Sequence, residues 1–190
     1  LEPYPCSERW YCIQGSYLVF INENGAHMIV YSLLDDNIEG VKFRNFIAYC
    51  LEHSTLFSLT FHNMINGRNQ QSIQGLNKFL CKSFKTDIWY CYKVLDKPID
   101  VALYHSNPNL LGYIMKHFDR LFPSRLQGIE DICFFNDESL LLGSVSHEEI
   151  AQLFLPTESE LSNYTQFARW EKVSLIPKDY DYLPDLKKFI

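Results

Sequence analysis

Glycine and proline are scarce, with 8 of each in 190 residues. Collagen-like and linker-like chains are thereby excluded. Long apolar runs are also missing. No stretch approaches the roughly 18 residues that would cross a bilayer as a helix, and the first residues lack a charged-then-apolar leader pattern. Basic clustering goes no further than Lys187-Lys188, which argues against nucleic acid as a partner, because phosphate counterions are displaced by a basic stripe. None of the six cysteines forms a Cys-x-x-Cys pair, so a zinc knuckle or thioredoxin-like motif is absent. There is no Gly-x-Ser-x-Gly elbow, no Walker loop and no dinucleotide fingerprint. His147-Glu148 begins a zinc-protease pattern, but the position that needs the second histidine is Ala151. The remaining histidines, His27, His53, His62, His105 and His117, form no pair at helical spacing. No cofactor and no metal site is therefore expected.

Aromatic residues are plentiful, with 3 Trp, 12 Tyr and 14 Phe. So much apolar surface excludes intrinsic disorder and suits a single domain spanning 1–190. Net charge is −6, and it is unevenly placed. Residues 1–120 balance 11 basic against 11 acidic residues, whereas 121–190 carry 6 basic and 12 acidic. An acidic third fits either a basic partner, whose approach it would steer, or plain solubility. Cys50 falls on an apolar helical face, while Cys91 and Cys133 fall inside strand-like runs. They read as buried thiols in a reducing, cytoplasmic setting. Cys6 and Cys12 are the pair expected to be exposed.

Residues 1–15 read as an N-terminal arm and 177–190 as an irregular C-terminal tail. Ser16–Asn22 and Ala26–Ser32 form a hairpin around Asn24-Gly25, a turn needing positive φ. Asp35-Asp36-Asn37 reads as a helix cap. Phe43, Phe46, Ile47, Cys50 and Leu51 then trace one helical stripe. Thr55–His62 is a strand, Asn63–Gly75 a polar loop and Leu76–Ser83 a short helix. Asp87–Leu95 and Ile99–His105 are neighbouring aromatic strands. Asn107-Pro108 opens a second amphipathic helix. Glu130–Phe135 and Leu140–Val145 form a hairpin around residues 136–139. Ser146–Glu149 fits a capping box leading a helix with Ile150, Leu153 and Phe154 inside, and Thr157–Glu160 fits another. The expected fold is α+β: a mostly antiparallel sheet built from hairpins, with three to five helices packed on it.

Two segments also support a family resemblance. Gly128-Ile129-Glu130-Asp131-Ile132-Cys133-Phe134-Phe135, followed by Leu142-Gly143-Ser144-Val145-Ser146-His147-Glu148, resembles a group of small bacterial proteins without assigned activity. Those carry a Pro-Glu-Asp-Leu-Cys-Phe-like strand, a turn and a Ser-Ile-x-His-Glu ending. The stretch from Glu52 to Thr60 is similar to their midsection. Gly128 stands where they have Pro, and the turn lacks their Asp-Gly. Such families resemble the immunity-type proteins that accompany bacterial toxins. The resemblance implies a bacterial, cytoplasmic, non-catalytic protein.

Three functions follow as expectations. The first is an immunity-like inhibitor binding a basic toxin domain through aromatic residues and the acidic side chains of Glu130, Asp131, Asp137, Glu138, Glu148 and Glu149. The second is a hydrolase-type enzyme at the junction of Glu130/Asp131 with His147/Glu148, in which His147 and Asp131 are the catalytic pair. The third is a structural or scaffolding domain with an apolar patch.

Overall fold

The computed structural model describes residues 11–14, 17–21, 27–61, 75–95, 97–123, 128–137, 139–173, 184 and 186. Its frame is a ten-stranded antiparallel sheet. The strands are β1 (Tyr11–Gln14), β2 (Tyr17–Ile21), β3 (His27–Leu33), β4 (Leu56–Phe61), β5 (Leu80–Thr86), β8 (Ile99–His105), β9 (Ile129–Asn136), β10 (Ser139–Val145), β11 (Ile150–Leu155) and β12 (Trp170–Lys172). Their order across the sheet is β1-β2-β3-β11-β10-β9-β4-β8-β5, with β12 also on β3. The short strands β6 (Ile88–Trp89) and β7 (Tyr92–Lys93) pair only with each other.

The class is α+β, dominated by the sheet. Helix α1 (Gly40–Glu52) is long, and α2 (Leu111–Ile114) is a single turn. The other helical pieces among the described residues are short 3-10 turns. No helix among them is long and apolar enough to cross a membrane.

Side-chain alternation sorts the core into two layers. Phe57, Leu59, Ala102, Tyr104, Phe134, Leu142, Leu153 and Tyr31 face α1 and α2. Met28, Val30, Val101, Leu103, Cys133, Phe135, Val145 and Phe154 face the other way, toward Trp89 and Tyr90. Every residue of β4 is buried, as expected of a central strand covered on both faces. The α1 stripe read from periodicity is buried as expected, from Phe43 to Leu51.

Several local readings are corrected. The segment from Ile150 is not a helix. Ser146–Glu148 makes one 3-10 turn, Glu149 takes φ +54° and stops it, and β11 follows. Pairing with β10 and β3 on both sides outweighs the local capping pattern. Leu76–Ser83 is likewise a 3-10 turn leading into β5, held by β8. Residues 87–95 form a small hairpin rather than one strand beside β8. Cys91 is therefore half-buried in a turn at φ +59°, not in the core. Strand β1 occupies part of the expected N-terminal arm. Asp35 does not cap α1; its carboxylate accepts the Arg169 backbone N–H at 2.9 Å and Nε–H at 2.6 Å. Those bonds hold its carboxyl below the usual carboxylate range. The Asn24-Gly25 turn, most of the 63–75 loop, Cys6, Glu138 and nearly all of the 177–190 tail lie outside the described residues.

Burial pushes the Cys133 thiol up to about 12 and raises Cys50 further. Neither forms thiolate at neutral pH. Iodoacetamide at pH 8 is therefore expected to leave both unlabelled in the folded chain and to label both once it is unfolded, as read by peptide mass spectrometry.

Candidate functional site

The site begins with a fault in a strand. Ser58 pairs with Cys133, but Thr60 pairs with Glu130. Asp131 and Ile132 therefore both lie opposite Leu59, which defines a β-bulge. Asp131 takes φ +50°, a left-handed conformation that Asp tolerates better than most residues. The bulge has a directional result. Ile129 and Ile132 both join the helix-side core, so Glu130 and Asp131 are turned together to the opposite face.

There Asp131 is fully buried and Glu130 is 5% exposed. The Asp131 carboxylate accepts the Ser146 backbone N–H at 2.7 Å on Oδ1. On Oδ2 it accepts the hydroxyls of Tyr92 at 2.8 Å and Thr60 at 3.1 Å. In return the Asp131 N–H donates to the Ser146 hydroxyl at 3.1 Å. This reciprocal pair locks the start of the 146–148 turn onto β9, and so fixes His147 beside Glu130. His147 Nδ1 lies 3.9 Å from Glu130 Oε2, and Nε2 lies 3.7 Å from Glu148 Oε1. The Tyr92 ring meets the imidazole edge-on at 5.5 Å. Burial and the neighbouring Asp131 charge drive the Tyr92 phenol far above its ordinary range. It is therefore a permanent donor.

Tyr92 arrives on the β6–β7 flap, which crosses the second face of the sheet. The flap is seated on Gly143. A Cβ there would lie 2.5 Å from the Tyr90 ring, whose hydroxyl donates to Gln152 Oε1. Tyr90 is buried and tied at its far end, so it has little room to yield. Gly143→Ala is expected to cost about 1–3 kcal/mol by overpacking, measured as a lower denaturation midpoint.

The structure thus brings together Glu130, Asp131 and His147, with one ligand-type atom of each within 4.8 Å of the others. It separates the rest of the acidic set. Asp137 is exposed in the β9–β10 turn, at the opposite end of β10 from exposed Glu148 and Glu149. Buried Glu130 and Asp131 offer no surface to a partner. Thr60, Tyr92 and Ser146 were missed as members of the site. The only sequence signals were polar Ser58 and Thr60 inside an apolar strand, and the tyrosine-rich segment 89–92. A separate cleft of about 210 Å³ lies beside β5 and β8, lined by Phe61, Ser83, Lys85 and Asp100.

The chain matches no protein-family model, no curated protein and no solved structure.

Proposed function

We propose that this chain is a protein-binding, immunity-like inhibitor of a basic bacterial toxin domain, acting in the cytoplasm. The observation that carries the reading is a set of exposed apolar side chains, Leu34, Val41 and Ile150, with exposed acidic residues in neighbouring segments. Leu34 is 48% exposed and Ile150 38%. Leu34 follows the end of β3 and Ile150 opens β11, and these two strands pair side by side. Val41, in the first turn of α1, is 75% exposed, and the segment from Leu34 to Glu39 joins it to that end of β3. Exposed Asp36 and Glu39 lie in the 34–39 segment, and exposed Glu148 and Glu149 in the turn before β11; Glu39 and Asp119 both pair with Arg120. An apolar centre with a charged rim is how protein interfaces are commonly built. The rim would mainly steer association and make it salt-sensitive.

The test uses the full chain against the product of a neighbouring toxin gene. Glu148→Lys/Glu149→Lys is expected to weaken binding at least tenfold, chiefly through slower association. Ile150→Asp is expected to weaken it by faster dissociation. A tight complex indifferent to salt and to both variants overturns the reading.

The convergence of His147 with Glu130 and Asp131 favours a second reading, acid–base chemistry of the hydrolase type. Against it, Asp131 has no exposed surface and gives both carboxylate oxygens to structural donors. A carboxylate so engaged is poorly placed to take a substrate proton.

A further inference from the structure

We propose that β5 is a docking edge for an acidic, extended segment of a partner protein, which adds to the sheet as its next strand.

The edge is open. β5 pairs with β8 on one side, and no described strand lies on its other side. An edge strand presents a row of backbone donors and acceptors that a new strand can satisfy. Lys82 to Thr86 run in unbroken register with β8, from Leu103 to Ile99. Upstream the register shifts between Leu80 and Lys82, which confines a docked segment to this stretch.

Charge selects the occupant. Residues 76–98 carry five lysines against two aspartates, a net of +3 in a chain of net −6. All five lysines are exposed. Lys82 stands on the edge strand itself and makes no ion pair among the described residues. Lys85 holds Asp100 at 3.0 Å and is still 60% exposed. Lysines and a bulge are devices by which natural edges turn stray strands away. They deter a second copy of this chain in particular, because two β5 strands side by side would bring like charges together. An acidic strand turns the same lysines into attraction.

A cleft of about 210 Å³ opens along the same edge. Cross-strand partners share a face. The register therefore sets Phe61, Asp100 and Lys85 in one row, with Ala102 beside Ser83 in the next. Phe61 and Ala102 belong to the helix-side core, so the cleft opens on that face. Lys82 pairs with Leu103, whose side chain belongs to the opposite core. A docked strand alternates its side chains in the same way. One apolar side chain enters the cleft against Phe61 and Ala102, and its acidic neighbour meets Lys82 on the other face. Strand addition takes affinity from backbone bonds and specificity from such pockets for alternate side chains.

β5 lies five strand spacings from β11 in the sheet order, about 24 Å. This edge is therefore independent of the acidic surface assigned to the inhibitor reading. The probe is a short fluorescein-labelled peptide of alternating glutamate and valine, titrated with the full chain and read by fluorescence anisotropy. Saturable binding that weakens at high salt is expected. Lys82→Glu is expected to weaken it about tenfold, because a favourable cross-strand charge pair becomes a repulsive one. Lys42→Glu, the same charge change on α1, is expected to leave it unchanged. N-methylating the peptide keeps its charges but removes its backbone donors, and is expected to abolish binding. If Lys82→Glu does not fold, Lys82→Gln decides, with a smaller loss expected. Absence of saturable binding overturns the proposal, as does equal binding by the methylated peptide or by the Lys82 variant. Preference for a short RNA over the peptide overturns it too.

Discussion

Asp131→Ala is expected to lower stability by about 3–5 kcal/mol, the range found when one member of a buried, hydrogen-bonded charged set is removed. The loss is large because the partners remain. The Ser146 N–H, the Thr60 hydroxyl and the Tyr92 hydroxyl all donate to this one carboxylate. Each would be stranded in a dry site, at about 1–3 kcal/mol apiece before relaxation. Urea unfolding followed by circular dichroism reads the effect as a lower midpoint with unchanged slope. A double-mutant cycle separates this account from a simple cavity. Tyr92→Phe removes one stranded donor, so Asp131→Ala/Tyr92→Phe should cost clearly less than the sum of the single variants. Strict additivity would show that the phenol and the carboxylate are not coupled. Asp131→Gly offers a further control, since it relieves the left-handed backbone yet still lacks the acceptor. It should recover only a minor part of the loss.

Phe57→Ala is expected to cost about 4 kcal/mol, within the range for removing a buried phenylalanine. Phe57 stands on the central strand β4, between β8 and β9. Its ring stacks on Tyr104 at 5.0 Å and on Phe134 at 5.8 Å, and it has no exposed surface. Deleting it opens a void that the paired backbones of three strands cannot collapse to fill. Phe57→Leu keeps most of the volume and should cost under about 1.5 kcal/mol, as volume-conserving core changes do. Equal losses in the two variants, measured by the same unfolding assay, would refute the cavity explanation.

Local patterns were readable where one periodicity applied and no distant partner was needed. The stripe from Phe43 to Leu51 has the helical period and lies on α1. The antiparallel pairings of β2 with β3 and of β9 with β10 join strand-like runs that are neighbours in the sequence. The segment from Ile150 to Leu155 had no such protection. Its run is short and apolar, which suits a buried strand or a buried helix equally, and Ser146–Glu149 mimics a helix start. Only the two neighbouring strands decide it. Similarly, His147 and Asp131 could be set on nearby strand ends from the hairpin alone. Thr60 and Tyr92 could not. Their places depend on β4 pairing with β9 through a one-residue bulge, and on a flap that crosses several strands. Both are long-range facts. The scattering of the acidic residues was hidden for the opposite reason: closeness along the chain suggested one patch, and the strand β10 between Asp137 and Glu148 holds them apart.

The flap bears on the order of folding. Thr86 pairs with Ile99, so β5 and β8 can zip together as a hairpin while residues 87–98 hang out as an excursion. That pairing is local in sequence and inexpensive in loop entropy. The excursion touches Thr86 and Phe84 of β5 through Ile88 and Trp89, but its two tyrosines reach Asp131, Gly143 and Gln152. Those residues come from strands that must already be side by side. Docking of Tyr90 and Tyr92 is therefore expected late, with the bulged carboxylate open to water until Tyr92 closes over it.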